Sequence, residues 1–186
     1  WHIGHYVKVL MDEVFGEENF RNEIIWKYES GGRPQTFFAR KHDTLFWYTK
    51  SGEYVFNADA VGVERGAKKR NNMKKHVDDD GRVYYSIKSN GKIYKYYENE
   101  KITPDDVWHI SHLQQQDPER VDYATQKPMA LLERIIKAHS NKGQVVADFF
   151  GGSGVTAKTA HSLGMNFVTA DVGINAIQTM RDRLIT

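Results

Sequence analysis

The chain has 186 residues, of which 40% are hydrophobic and 27% charged; it carries a net charge of +2 and contains no cysteine. This length and composition are typical of one globular domain with room for a small inserted subdomain. The absence of cysteine excludes disulfides and thiolate metal sites, and no apolar run approaches the roughly 18–20 residues of a membrane helix. We therefore expect a cytoplasmic protein that does not enter a membrane.

The first 50 residues predict one helix and two strands. Apolar residues recur at helical spacing over His2–Val14, and Gly16 follows as a stop signal. A short apolar run at 23–28 and an aromatic-rich run at 43–50 predict strands. The glycine and proline residues of 29–34 predict a loop between them.

The composition changes over residues 51–106. Residues 64–101 hold eleven Lys or Arg but only six Asp or Glu. Two tyrosine-rich runs, 83–88 and 92–97, flank Asn90-Gly91, and Asn-Gly between strand-like runs is a strong hairpin signal. We predict a basic β insert that is separate from the main sheet.

The chain after Pro128 alternates between helical and strand patterns. The predicted elements are a helix over 129–139, a strand over 144–150, a glycine-rich loop, a helix over 155–163, a strand over 166–171 and a last helix from about 175. This order predicts the α/β fold class, with the core of a parallel sheet.

The glycine-rich loop is the strongest functional signal. Residues 152–157 read G-x-G-x-x-A between a predicted strand and a predicted helix, and Asp171 ends the next strand, 19 residues beyond Gly152. Glycines let a backbone approach a ligand, and an acid at the next strand tip can accept bonds from ribose hydroxyls. The loop indicates an adenosine-type cofactor but does not choose between a dinucleotide and S-adenosylmethionine, and a strand–helix turn without ligand is the alternative.

Two features favour the methyl donor. Only 32 residues follow Gly154, whereas a dinucleotide fold needs several further β–α units, so a permuted strand order is expected. Asp148 lies four residues before Gly152, where a carboxylate would repel a pyrophosphate but suits a cationic sulfonium.

Two motifs in this order resemble those of the β-class DNA amino-methyltransferases. Asp148–Gly154, DFFGGSG, resembles the cofactor motif of that class, and Thr125–Pro128, TQKP, resembles the motif that precedes it. Residues 5–26 and 37–43 are similar to modification subunits of type III restriction systems. The likeness thins across 51–106, where that family carries its variable target-recognition region.

The resemblance implies a Rossmann-like, circularly permuted methyltransferase fold. Residues 1–50 and 107–186 would form the catalytic and cofactor domain, and 51–106 the target-recognition insert. The family transfers a methyl group from S-adenosylmethionine to an exocyclic amino group of a flipped base. The likeness to type III subunits favours N6 of adenine as this amino group. Its catalytic Pro-Pro-Tyr motif is absent from this chain and is expected upstream of Trp1, so we expect the chain alone to be an inactive fragment.

Three alternatives stay open. A cytosine-N4 enzyme would share the layout, an NAD-dependent oxidoreductase would share the loop, and a catalytically inactive DNA-binding module would share the insert.

The resemblance and the basic composition also assign candidate residues. No catalytic residue is expected within the chain, and paired histidines such as His109 and His112 lack the carboxylates that would complete a metal site. The expected cofactor residues are Thr125, Gln126, Lys127, Pro128, Asp148, Phe149, Phe150, Gly151, Gly152, Ser153, Gly154 and Asp171. The expected DNA-binding residues are Arg33, Arg40, Lys41, Lys68, Lys69, Arg70, Lys74, Lys75, Lys88 and Lys92. The expected partners are double-stranded DNA, a second methyltransferase subunit and a restriction subunit, in a prokaryotic or phage setting.

Overall fold

The computed structural model describes residues 3–29, 31–67 and 72–185, and its chain divides into two compact units. The first unit comprises Trp1–Asn57 with Asp105–Thr186, and the second comprises Ala58–Pro104. Within the described ranges, no helix is both long enough and apolar enough to cross a membrane.

Four α-helices and ten strands are described. The helices are α1 (Gly4–Phe15), α2 (Met129–His139), α3 (Val155–Ser162) and α4 (Ile174–Ile185). The strands are β1 (Phe20–Lys27), β2 (His42–Tyr48), β3 (Val63–Glu64), β4 (Lys74–Val77), β5 (Val83–Ser89), β6 (Lys92–Tyr97), β7 (Lys101–Ile102), β8 (Val107–His109), β9 (Val145–Asp148) and β10 (Asn166–Thr169).

The core of the first unit lies on the sheet β2-β1-β8. Strand β1 runs antiparallel to β2 and parallel to β8, so that Trp26 pairs with Trp108. Side chains alternate between the faces of a strand, and β1 therefore buries Ile24 and Trp26 on one face. These residues form the buried cluster with Trp108 and with Leu131 of α2. Packing on the sheet thus fixes α2, the helix that precedes β9 and the glycine-rich loop.

The glycine-rich loop belongs to a β9–α3–β10 unit. The two strands pair in parallel, with Asp148 opposite Thr169. A parallel pair needs a crossover, and α3 supplies it. Ala157, Thr159 and Ala160 are buried positions along this short helix, where small side chains allow close packing.

The structure confirms the predicted α/β class but changes several boundaries. Helix α2 has the predicted bounds, and α1 begins at Gly4 in the described chain; residue 2, where the predicted helix starts, lies outside the described residues. The strand predicted over 144–150 ends at Asp148, which leaves two phenylalanines to the loop. The sequence did not predict β8.

The second unit contains two small sheets. Strands β4, β5 and β6 form an antiparallel sheet, and β3 pairs with β7. The predicted hairpin joins β5 to β6, with Asn90 at φ 49° and Gly91 at φ 77°. Two successive positive φ angles are the signature of a type I′ turn, whose twist matches that of the strands.

Candidate functional site

Two glycines let the loop after β9 approach helix α4. A Cβ on Gly154 would lie 2.6 Å from Cγ and 2.9 Å from Cα of Met180, and one on Gly151 would meet Sδ of Met180 at 2.8 Å and Oγ1 of Thr169. Gly154 also has a φ of 75°, which disfavours other residues. Close packing on α4 therefore requires these glycines, whether or not a ligand approaches them.

The Asp148 carboxylate shapes the start of the loop. Its Oδ1 accepts a hydrogen bond from the Phe150 amide at 3.0 Å, and its Oδ2 accepts one from the Thr156 hydroxyl at 2.6 Å. Thr156 lies in the first turn of α3, where the helix dipole favours a negative charge. Asp148 is therefore held in one orientation as a carboxylate that lines a cleft.

The Asp171 carboxylate holds the other side of the loop. Oδ2 accepts from the Gly152 amide at 2.9 Å, and Oδ1 accepts from the Gly173 amide at 2.8 Å. These backbone bonds, Gly173 first, lower the pKa of Asp171 below its ordinary value of 3.8. Asp171 thus contacts the loop backbone and does not line the cleft.

A cleft of about 690 Å³ opens beside the loop. Its volume falls within the roughly 300–1,000 Å³ of small-molecule sites. One wall is the loop with the start of α3, and the other combines β1, β2, the start of α1, α2 and the segment before α2. Residues of the facing wall include Glu23, Trp26, Asp43, Thr125 and Lys127.

The facing wall carries an ion pair next to aromatic rings. Lys127 Nζ donates to Asp43 Oδ2 at 3.3 Å and lies 5.1 Å from the Trp26 ring centroid. Trp26 stacks on His112 at 4.7 Å, and burial, followed by the Lys127 charge, lowers the pKa of His112. Burial and the Asp43 carboxylate raise the pKa of Tyr28. The Lys127 side chain is therefore held in place by its ion pair with Asp43 and by its contact with the Trp26 ring.

The structure divides the twelve predicted cofactor residues. Those that line the cleft are Thr125, Lys127, Asp148, Phe150, Gly151, Gly152 and Ser153. Those that do not line it are Gln126, Pro128, Phe149, Gly154 and Asp171. Gln126 is buried, donates to the Glu119 carbonyl and accepts from the Val121 amide, both at 2.8 Å. It fixes the shape of the segment that carries Thr125 and Lys127.

Sequence reasoning missed several residues of this region, three of which contribute to the charge or the shape of the cleft. Trp26 and Asp43 line the cleft from strands far away in sequence, and Thr156 anchors Asp148. Each had a sequence signal: Trp26 and Asp43 lie within the segments 5–26 and 37–43 that resemble the type III subunits, and Thr156 lies within the G-x-G-x-x-A motif.

The predicted DNA-binding residues fall in both units. Arg33 is exposed, Arg40 lies over the Phe37 ring, and Lys41 donates to the Glu29 and Gly31 carbonyls, all in the first unit. The lysines at 74, 75, 88 and 92 are exposed on the strands of the second unit. Lys68, Lys69 and Arg70 lie outside the described residues. In the described part of the chain, no group of three or more His, Cys, Asp or Glu side chains is arranged to hold a metal ion.

Comparison with known proteins gives a consistent result. A family model described as DNA methylase matches residues 2–182. The Type II methyltransferase M1.MboII of Moraxella bovis is 35% identical over 161 residues, which is 82% of this chain and 58% of that protein. The DNA adenine methyltransferase YhdJ of Escherichia coli is 29% identical over 166 residues, or 88% of this chain and 52% of that protein. The chain thus spans about half the length of these curated relatives.

Solved structures share the fold. A structure of an M1.HpyAVI–SAM complex superposes with a TM-score of 0.58 at 21% identity, and it covers 98% of this chain and 70% of that one. The cytosine-N4-specific PvuII DNA methyltransferase superposes with a TM-score of 0.67 at 13% identity, over all of this chain and 58% of that one. At these identities the similarity is one of fold, a Rossmann-like methyltransferase fold.

We predict that Gly154→Ala destabilises the chain more than Gly143→Ala does. Both glycines have positive φ, 75° and 84°, but a Cβ on Gly143 meets no atom within 4 Å. The control therefore contains only the backbone strain, whereas Gly154→Ala adds a clash with Met180 of about 1–3 kcal/mol. Urea unfolding followed by circular dichroism measures the two free energies of unfolding. Equal losses would contradict the requirement for close packing on α4.

Proposed function

The chain belongs to the N6/N4 DNA methylase family, and on that premise we propose that its cleft binds S-adenosylmethionine for the methylation of DNA. The carrying observation is the Asp148 carboxylate, fixed at the cleft by Phe150 and Thr156. The M1.HpyAVI structure, a complex with SAM, supports this ligand by its shared fold.

The residues of the cleft fit this ligand. When bound, S-adenosylmethionine supplies a methyl group on a positively charged sulfonium. The Asp148 carboxylate on the wall of the cleft is a group that attracts such a cation. Gly151 and Gly152 leave their part of the wall without side chains, so that a ligand can approach the backbone.

The loop is held in shape by its own hydrogen bonds. The amides of Phe150, Gly151, Gly152 and Gly154 donate to Asp148, Ala170, Asp171 and Gly151, respectively, at 2.8–3.0 Å. These four N–H groups are therefore not available to cradle a pyrophosphate. Together with the charge of Asp148, this disfavours the NAD-dependent oxidoreductase, which is the second candidate function.

The favoured target is the exocyclic N6 of adenine in a flipped base. Supporting relatives include the DNA adenine methyltransferase YhdJ, whereas the cytosine-N4-specific PvuII enzyme shares the fold and keeps N4 as the alternative. Whichever of the two amino groups is the target, the enzyme would hold its nitrogen in line with the methyl group, which is catalysis by orientation. Removal of the base from the stack costs a few kcal/mol.

The residues that orient the target amino group are proposed to lie outside these 186 residues. None of the four prolines is adjacent to another, so no Pro-Pro-Tyr motif is present. We assign 1–50 and 107–186 to the methyltransferase domain and 51–106 to target recognition. The relatives include a Type II methyltransferase. We further propose that the protein assembles with a second methyltransferase subunit and with a restriction subunit of a type III system.

We predict that the chain binds S-adenosylmethionine with measurable heat in isothermal titration calorimetry and gives no heat with NAD. Asp148→Asn removes the carboxylate charge of the loop wall and is expected to weaken binding at least tenfold, about 1.4 kcal/mol. Asp182→Asn, on the exposed surface of α4, is the matched control and is expected to keep the wild-type affinity. Heat with NAD alone would instead support the oxidoreductase.

We also predict the methylated product. The protein that carries this chain together with an upstream Pro-Pro-Tyr motif is expected to incorporate labelled methyl groups into DNA, and the 186-residue chain is not. Mass spectrometry of the digested DNA is expected to find N6-methyladenine. N4-methylcytosine would overturn the adenine assignment, and incorporation by the chain alone would overturn the proposed location of the transferring residues.

A further inference from the structure

The β4-β5-β6 sheet of the second unit has two chemically different faces. Strand pairing places His76, Tyr84 and Tyr97 in one row across the sheet, and Lys75, Tyr85 and Tyr96 in the next row. Because side chains alternate, these rows point to opposite faces. The first, here called the ring face, contains Lys74, His76, Tyr84, Ser86, Lys88, Ile93, Lys95 and Tyr97. The second, here called the packed face, contains Lys75, Val77, Val83, Tyr85, Ile87, Ser89, Lys92, Tyr94 and Tyr96.

The centre of the packed face is covered by its own unit. Tyr85 is 3% exposed and donates its hydroxyl to Glu98 at 2.7 Å. The Arg65 guanidinium lies over the Tyr96 ring at 4.6 Å. Lys75 on this face lies 3.8 Å from Glu98, which balances its charge. The centre of the packed face, at Tyr85 and Tyr96, therefore serves the interior of the unit, whereas Val77, Tyr94 and Lys92 on the same face are exposed.

The ring face is an ordered aromatic platform. His76 stacks on Tyr84 with ring centroids 5.0 Å apart, and Tyr84 lies 5.3 Å from Tyr97. The His76 Nε2 atom is 2.8 Å from the Ser86 hydroxyl, which fixes the imidazole. Lys95 Nζ lies 4.9 Å from the Tyr84 ring centroid, so the platform orients this lysine. These aromatic rings are half-buried and contact each other, so the plane of each ring is not open for stacking with an unpaired base.

Three positive charges on the ring face have no counterion among the described residues. Lys74, Lys88 and Lys95 are exposed, and no carboxylate of the described ranges lies within ion-pair distance of them. Lys74 and Lys95 both lie opposite Ser86, two strand spacings or about 10 Å apart. Arg82, which contacts Tyr97, is instead paired with two carboxylates, Asp78 and Asp80, and adds no positive charge to this face.

We propose that the ring face binds the phosphate backbone of duplex DNA through Lys74, Lys88 and Lys95, and that the packed face makes no DNA contact. Glu98 balances the charge of Lys75 on the packed face, which leaves Lys92 as a single exposed lysine there with no counterion in the described ranges, against three on the ring face. The proposal rests on the proposed function, because it specifies how the target-recognition unit holds the DNA. Unbalanced lysines on a rigid, extended surface match the regular negative charge of a duplex. It replaces Lys75 and Lys92 of the sequence prediction with Lys95.

The test compares two double variants that each remove two lysines from the same sheet. Lys88→Gln with Lys95→Gln changes the ring face, and Lys75→Gln with Lys92→Gln is the matched control on the packed face. Binding of the 186-residue chain to a labelled duplex of mixed sequence, about three helical turns long, is followed by fluorescence anisotropy over a range of salt concentrations. The slope of log K against log salt is expected to become shallower by about 1.8 for the ring-face variant, since each phosphate neutralised by a lysine adds about 0.9 to the slope. The slope of the control is expected to stay unchanged.

The remaining outcomes overturn the proposal. They are equal losses of affinity for both variants, a larger loss for the control, no change for either, no duplex binding by the wild type, or tighter binding of a single strand of the same length. Calorimetry with S-adenosylmethionine on the same preparations keeps the two proposals apart. Heat of binding in both double variants shows that the cofactor cleft is intact. No heat with the wild type contradicts the proposed function, and the proposal for the ring face is then judged by the salt dependence of duplex binding alone.

Discussion

The close packing of the glycine-rich loop on helix α4 is the constraint on which the cleft depends. Met180 occupies the space that a side chain at Gly151 or Gly154 would need. From both sides of the loop, carboxylates accept its amide hydrogens, Asp148 from Phe150 and Asp171 from Gly152. The loop is therefore rigid through contacts within the protein. A site that is already formed loses little entropy when a ligand binds, which is the advantage of preorganisation.

The cleft also separates its charges in a way that suits a cationic ligand. On the loop wall, the Asp148 carboxylate accepts hydrogen bonds from two neutral donors, the Phe150 amide and the Thr156 hydroxyl. On the facing wall, Asp43 is paired with Lys127, whose ammonium lies over the Trp26 ring. Lys127 and His112 also line a second, smaller pocket. The ion pair fixes the Lys127 head group, and buried Gln126 fixes the backbone on the same segment. Membership of the DNA methylase family and the fold shared with a SAM complex agree with the charge of this cleft.

Local patterns predicted the local parts of this structure. The periodicity of 129–139 and the Asn90-Gly91 turn each depend on residues close in sequence, and both elements form as expected. Strand β8 has three residues and exists because it pairs with β1, about 80 residues earlier in the chain, so its pattern was too short to detect. For the same reason Trp26 and Asp43 were missing from the predicted site. The basic residues of the insert were visible as a composition, but only the strand register assigns Lys74 and Lys75 to opposite faces. The roles of the individual cofactor and DNA residues stay predictions.

In the proposed function, the glycine-rich loop and the TQKP segment together enclose the methyl donor. The most direct measurement is the change of backbone amide resonances, in two-dimensional ¹H–¹⁵N spectra, on addition of S-adenosylmethionine. We expect the largest shifts at Gly151, Gly152 and Ser153 on one wall and at Thr125 and Lys127 on the other, with the β5–β6 hairpin unchanged. Saturable shifts confined to residues away from these two walls, or no shifts at ligand concentrations in the millimolar range (roughly −4 kcal/mol of binding free energy), would contradict this placement of the donor.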